Sequence, residues 1–168
     1  MTVLQTSRMT LRRLTPADAP FIRELVNEPS WIRFIGDRGV RTEEDARAYL
    51  VKGPIAMYER HGFGLWMCES RESRESREAL GICGLIKRDT LEDVDIGFAF
   101  LPRYWGRGYA HESAAAVLDY GREVLELDRI VAITSPDNTS SIRLLEKLGL
   151  RLEKTFEVGG MPTQLFVS

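Results

Sequence analysis

The chain has 168 residues, 43% of them hydrophobic and 29% charged, the balance of a soluble globular chain with enough apolar material for a real core. A formal net charge of −2 gives no electrostatic case for nucleic acid or an anionic membrane, so any anion site must be local, built from a few Arg side chains and backbone N–H groups. No apolar run reaches the roughly 20 residues that a bilayer requires, and Met1–Leu14 lacks the apolar centre of an export signal; the expectation is a cytoplasmic protein with Cys68 and Cys83 as reduced thiols.

Thr10–Leu14 reads as a first strand. T-P-A-D at 15–18 then opens a helix: Thr15 can cap it, Pro16 suits the first helical position, and Asp18 puts negative charge in the first turn. Phe21, Ile22, Leu25 and Val26 keep helical spacing behind it. T-E-E-D at Thr42–Asp45 is a second start, and Gly53-Pro54 interrupts its helical pattern, which predicts a kink or a split. Phe63–Cys68 and Leu80–Lys87 are strand candidates. Between them lies E-S-R-E-S-R-E-S-R-E, residues 69–78. Its period of three drifts around a helix of about 3.6 residues per turn, so it reads as a solvated hairpin connection, with a docking segment as the alternative.

Val94–Leu101 is a strong strand that Pro102 stops. Gly106–Ala110 leads into a helix with an apolar face of Ala110, Ala114, Val117, Leu118, Gly121 and Leu125. Arg129–Thr134 is β-branched and lacks a polar face, as a buried central strand does. Asn138–Leu148 is a further helix closed by Gly149, and strands near Leu150–Val158 and Gln164–Val167 finish the chain. Residues 1–168 are expected to form one domain of mixed α/β class with a mostly antiparallel sheet.

The chemistry concentrates in Asp95–Ser113, D-I-G-F-A-F-L-P-R-Y-W-G-R-G-Y-A-H-E-S. A strand stops at a proline, passes through a glycine loop and opens a helix. Gly106 and Gly108 allow a sharp turn and close approach, the free N–H groups of a helix start suit a phosphate, and Arg103 and Arg107 add positive charge. The spacing is neither the dinucleotide fingerprint nor a P-loop, which argues against a nicotinamide oxidoreductase. A tight strand–helix turn without a ligand is the alternative.

Arg103-Tyr-Trp-Gly106-Arg-Gly108-Tyr-Ala110 resembles the pyrophosphate loop of the GNAT acetyltransferase superfamily. The fuller run from Ile96 to Ala110, and N-T-S-S-I-R-L-L-E-K-L-G-L at 138–150, are similar to the RimJ/RimL-like branch of ribosomal-protein N-terminal acetyltransferases. R-R-L-T-P-A-D-A and T-E-E-D-A-R-A-Y-L fit the same branch, so the resemblance covers nearly the whole chain.

The resemblance implies a GNAT fold, a mixed, mostly antiparallel sheet with a splayed parallel strand pair flanked by helices. It implies acetyl-CoA as cosubstrate and transfer of its acetyl group to a primary amine by direct attack, without a metal. The splayed pair would be the Val94–Leu101 and Arg129–Thr134 strands. The pantetheine arm would pair with backbone at Phe100 and Leu101, and the pyrophosphate would sit on N–H groups of Arg103, Gly106, Arg107, Gly108, Tyr109 and Ala110. Asn138 and Ser141 would face the pantetheine and the thioester sulfur, although P-D-N-T-S-S also reads as plain helix capping. Where many members carry a tyrosine this chain has Leu145, which leaves Ser141 as the partner of the departing thiolate. Asp95 is the candidate base, with pairing to a nearby Arg as the alternative.

His61 and His111 lack partners at metal spacing, which gives no case for zinc. Cys83, beside Gly84, reads as a buried thiol rather than an acyl carrier. Trp31, Phe34 and Tyr58 either wall the acceptor site or belong to the core. The acceptor is left open between a protein N-terminal α-amine and a small-molecule amine, the assembly between monomer and homodimer. A non-catalytic acyl-CoA sensing module is the competing function.

Overall fold

A computed structural model describes residues 1–72 and 77–168. Among these described residues eight strands form one sheet in the order β1-β2-β3-β4-β5-β6-β8-β7. They are β1 (Thr2–Gln5), β2 (Met9–Arg13), β3 (Leu65–Ser70), β4 (Ala79–Ile86), β5 (Val94–Phe100), β6 (Ile130–Thr134), β7 (Arg151–Val158) and β8 (Met161–Val167). Every neighbouring pair is antiparallel except β5 and β6. This is the mixed α/β GNAT fold that the sequence led us to expect.

The segment between β2 and β3 carries α1 (Ala19–Val26), α2 (Pro29–Phe34), α3 (Glu43–Leu50) and α4 (Ala56–His61). Two helices were expected there. Pro16–Asp18 forms a short 3₁₀ turn before α1, with the Thr15 N–H donating to Asp18 Oδ2 at 2.8 Å. Thr42 caps α3 as its sequence predicts, accepting the Asp45 N–H at 3.0 Å. At Gly53-Pro54 the helical pattern is split into α3 and α4, one of the two outcomes expected there. A π-type turn at Val51–Ile55 carries the chain through to α4, widening the backbone where Pro54 has no N–H to give. The six-residue α2 is too short to show a helical period, which is why sequence reading missed it.

Strand β1 was also missed. It is an edge strand whose pairing with β2 shifts register between Thr2 and Leu4, and a bulge of that kind breaks the alternation that marks a strand. Next to the other edge strand, β7, strand β8 begins at Met161, earlier than Gln164, because Pro162 lies where β8 pairs only with β7 and its missing N–H costs no ladder bond. Strand β3 runs on into the charged repeat: Glu69 and Ser70 are buried, and Glu69 Oε2 accepts from Arg12 Nη2 at 3.2 Å. The antiparallel pairing of β3 with β4 makes the repeat a hairpin connection, and its residues 73–76 lie outside those described.

Helix α5 (Tyr109–Glu123) lies against the sheet over β4 and β5. It buries Ala114, Val117, Leu118 and Gly121 as its apolar spacing predicts. At Gly121 a Cβ would meet Ile130 Cδ1 at 2.7 Å, so a larger residue there would require that side chain to shift. Helix α6 (Thr139–Lys147) follows β6 and contributes Leu145, 1% exposed, to the same core. Among the described residues no helix is long and apolar enough to cross a membrane.

Candidate active site

The parallel pair β5–β6 is joined only at its start. Val94 pairs with Ile130 and Asp95 with Val131, after which the strands separate. Successive backbone groups of an extended strand point to alternate edges. The Leu101 N–H donates to Leu80 O at 3.1 Å on the β4 side, so the backbone groups of Phe98 and Phe100 point into the gap. The Leu101 carbonyl accepts the Tyr104 N–H at 2.9 Å, which leaves that residue with no free backbone group. The Phe100 carbonyl accepts from Trp105 Nε1 at 2.7 Å, a bond that ties the following loop back to the strand end.

The loop turns through Pro102–Tyr104 in a short 3₁₀ turn. Trp105 N–H donates to the Pro102 carbonyl, so both the Tyr104 and Trp105 amides are already bonded. Beyond them the N–H groups of Gly106, Arg107 and Gly108 find no acceptor among the described residues. Gly106 and Gly108 hold φ of 76° and 81°, values that L side chains disfavour. Gly108 is the N-cap of α5 and brings no side chain to cap it, so the first N–H groups of that 15-residue helix, at Tyr109 and Ala110, are also open. Uncapped donors at the positive end of a helix dipole suit an anion.

The two loop arginines are exposed: Arg103 pairs with Glu24 of α1 at 2.6 Å, and the Arg107 guanidinium lies 6.0 Å from the Tyr104 ring centroid. Tyr104 and Tyr109 are buried beneath the loop. Their hydroxyls donate to Glu78 and to Glu72 Oε2, the latter at 3.4 Å, so the described ends of the charged repeat hold the loop from below. Arg8, from the β1–β2 turn, reaches the same loop: Nη1 donates to the Arg107 carbonyl at 2.8 Å and Nε to Glu112 Oε1 at 2.8 Å. Sequence reading found neither Arg8 nor the two glutamates. Arg8 and Arg107 are 99 residues apart, and no local pattern announces such a contact.

On the other side of the gap, Asn138 Oδ1 accepts the Ser141 N–H at 3.3 Å as the N-cap of α6. The capping alternative therefore holds for Oδ1, while Asn138 Nδ2 and the half-buried Ser141 hydroxyl have no hydrogen bond among the described residues. An exposed pair, Arg33 with Asp137 at 3.6 Å, links α2 to the loop that precedes Asn138.

Asp95 sits at the last rung before the strands part. It is 1% exposed and pairs with Arg88 Nε at 3.0 Å. Burial pushes its carboxyl up to about 6, against the pull of the Arg88 cation. Asp95 shares its side of the sheet with Gly97 and Ala99, the strand's smallest residues, on the face opposite α5. Tyr58 is a core tie, its hydroxyl accepting the Leu14 N–H at 3.0 Å and donating to the Leu65 carbonyl. Trp31 is buried on α2 and Phe34 half-buried. His61 stacks on Phe63, and both histidines are exposed. Cys68 and Cys83 are free and fully buried; burial raises both thiols, Cys83 to about 12.

The family model described as acetyltransferase (GNAT) domain matches residues 8–151. The chain is 30% identical over 151 residues to the "Uncharacterized N-acetyltransferase YoaA" of Bacillus subtilis, covering 90% of this chain and 84% of that one. A solved GNAT-family acetyltransferase from Bacillus anthracis is 27% identical and superposes with a TM-score of 0.80, covering 100% of this chain and 98% of its own. RimL, described as a ribosomal L7/L12 alpha-N-protein acetyltransferase in complex with coenzyme A, shares the fold at a TM-score of 0.83 and 16% identity, over 100% of this chain and 97% of its own. A match that runs from the β1–β2 turn through both sides of the strand gap, on a sheet that opens between β5 and β6, makes this chain a member of the GNAT family of acetyltransferases and an acyltransferase.

Proposed function

We propose that the protein transfers an acetyl group from acetyl-CoA to a primary amine by direct attack in a ternary complex, as a single domain of the RimJ/RimL-like branch. The observation that carries this reading is the gap between β5 and β6 running out onto the uncapped start of α5. The backbone groups of Phe98 and the N–H of Phe100 would pair with the pantetheine amides as an added strand does. The N–H groups of Gly106, Arg107, Gly108, Tyr109 and Ala110 would receive the pyrophosphate, with Arg103 and Arg107 adding charge at the rim.

Bound there, acetyl-CoA supplies an activated thioester. Backbone N–H groups of the open β5 edge would hold the developing oxyanion. Asn138 Nδ2 and the Ser141 hydroxyl would hydrogen-bond the departing thiolate, since buried Leu145 offers no proton. Asp95 would accept the amine's proton through water. An α-amine, with a reference pKa of about 8 against about 10.4 for lysine, needs little help from a base, which favours an N-terminal acceptor. The two free, buried thiols suit a cytoplasmic setting.

The test is thiol release from acetyl-CoA in the presence of N-terminal peptides, amino acids, polyamines and aminoglycosides. Release that depends on one acceptor class is expected, with α-amines first. Tight acetyl-CoA binding without release for any acceptor would replace the transferase by a sensing module.

A further inference from the structure

We propose that Arg8 is a positioning residue that pre-forms the phosphate-binding shape of the glycine loop, an inference that rests on the loop's reading as the acetyl-CoA pyrophosphate site. One guanidinium touches the loop and the first turn of α5 behind it at three points. Nη1 donates to the Arg107 carbonyl at 2.8 Å, Nε donates to Glu112 Oε1 at 2.8 Å, and the guanidinium carbon lies 4.3 Å over the Tyr109 ring. Nη2 stands 3.3 Å from the point a Cβ at Gly108 would occupy. The backbone N–H of Arg8 adds a bond to Glu112 Oε2 at 3.1 Å, and the Thr6 hydroxyl donates to the same oxygen. The β1–β2 turn is thereby latched to the first turn of α5.

Two consequences follow for an anionic ligand. A loop that carries two glycines at positive φ loses much conformational freedom when it orders around a phosphate, and a clamp that orders it beforehand removes that cost from binding. Glu112 also places a carboxylate within one turn of the open N–H groups, where its charge would repel pyrophosphate. Arg8 neutralises that charge, and its own N–H and the Thr6 hydroxyl tie the carboxylate to the β1–β2 turn. The fork shape of the guanidinium is essential, because a lysine ammonium cannot bridge the Arg107 carbonyl and Glu112 while covering the Tyr109 ring.

The experiment compares Arg8→Ala, Arg8→Lys, Glu112→Gln and the Arg8→Ala/Glu112→Gln double variant in the full chain, by calorimetric titration with acetyl-CoA and by steady-state kinetics with the best acceptor. Arg8→Ala should weaken acetyl-CoA binding about tenfold, the order expected for one charge-assisted contact, with a larger rise in KM for acetyl-CoA than fall in kcat. Arg8→Lys should recover part of that loss, and the double variant should bind better than Arg8→Ala because the uncovered carboxylate is gone. Wild-type affinity in an Arg8→Ala variant that folds would overturn the inference, as would equal loss in Arg8→Ala and the double variant. Gly108→Trp separates the two levels: if it too leaves affinity unchanged, the reading of the loop has failed, and if it alone abolishes binding, only the role of Arg8 has.

Discussion

Asp95 is the residue where burial and function meet most directly. Its carboxyl is buried at the point where β5 and β6 part, and burial lifts it from an ordinary 3.8 to about 6 even with Arg88 at 3.0 Å. Between those two values the folded protein binds the extra proton, so stability falls as pH rises through that window and stays lower above it. As a proton acceptor Asp95 must be ionised. The expectation is that kcat/KM falls about tenfold per unit below pH about 6, and that Asp95→Asn both slows the reaction and flattens that limb. A pH–rate profile with the same acidic limb in wild type and variant would remove Asp95 from the chemistry. Sequence reading singled out this aspartate and offered an arginine partner as the alternative. It could not say which arginine, because Arg88 reaches Asp95 only through the register that pairs Ile86 with Asp95.

At the scale of elements, the strand–loop–helix unit of β5 and α5 was legible from end to end. Pro102 stops the strand, paired glycines turn the chain, and the apolar spacing behind them is helical, all within a span where local sequence dictates local structure. What local sequence left open was which N–H groups are free. The short turn at Pro102–Tyr104 takes up those of Tyr104 and Trp105, which moves the open donors to Gly106 and beyond. Gly108→Trp tests the unit as a whole. A side chain at φ 81° carries a backbone cost of about 1–2 kcal/mol and its Cβ would crowd Arg8, so the loop should close while the helix persists. Loss of acetyl-CoA binding in calorimetry, with far-ultraviolet dichroism unchanged, is the expected result; retained affinity would show that the phosphate sits elsewhere.

For the whole molecule, direct transfer requires both substrates on the protein at once, and the two thiols bear on this. Cys83 is sealed in the core with its thiol raised to about 12, so almost none is thiolate near pH 7 and no acyl carrier is available there. Initial-rate plots that vary both substrates should therefore intersect, and Cys83→Ala should keep its turnover number within about twofold. Parallel lines, or a variant that no longer turns over although it folds, would point to a covalent acyl-enzyme instead.

Composition, periodicity and the two motifs at 103–110 and 138–150 determined the class of the fold, the place of the glycine loop and the family, because each is written in residues close together in the chain. Three things were decided only in the folded molecule. The strand gap opens after Asp95 because two strands from distant parts of the chain share just two rungs. The loop is held by Arg8, Glu72 and Glu78, which the sheet carries to it from two other connections, β1–β2 and β3–β4. Asn138 gives its oxygen to the cap of α6, leaving only its amide nitrogen for a ligand. The first two are contacts between groups remote in sequence, and no pattern of neighbouring residues encodes which remote group will arrive; the third is local, and the fold decided only between the cap and the ligand that the same residues offered.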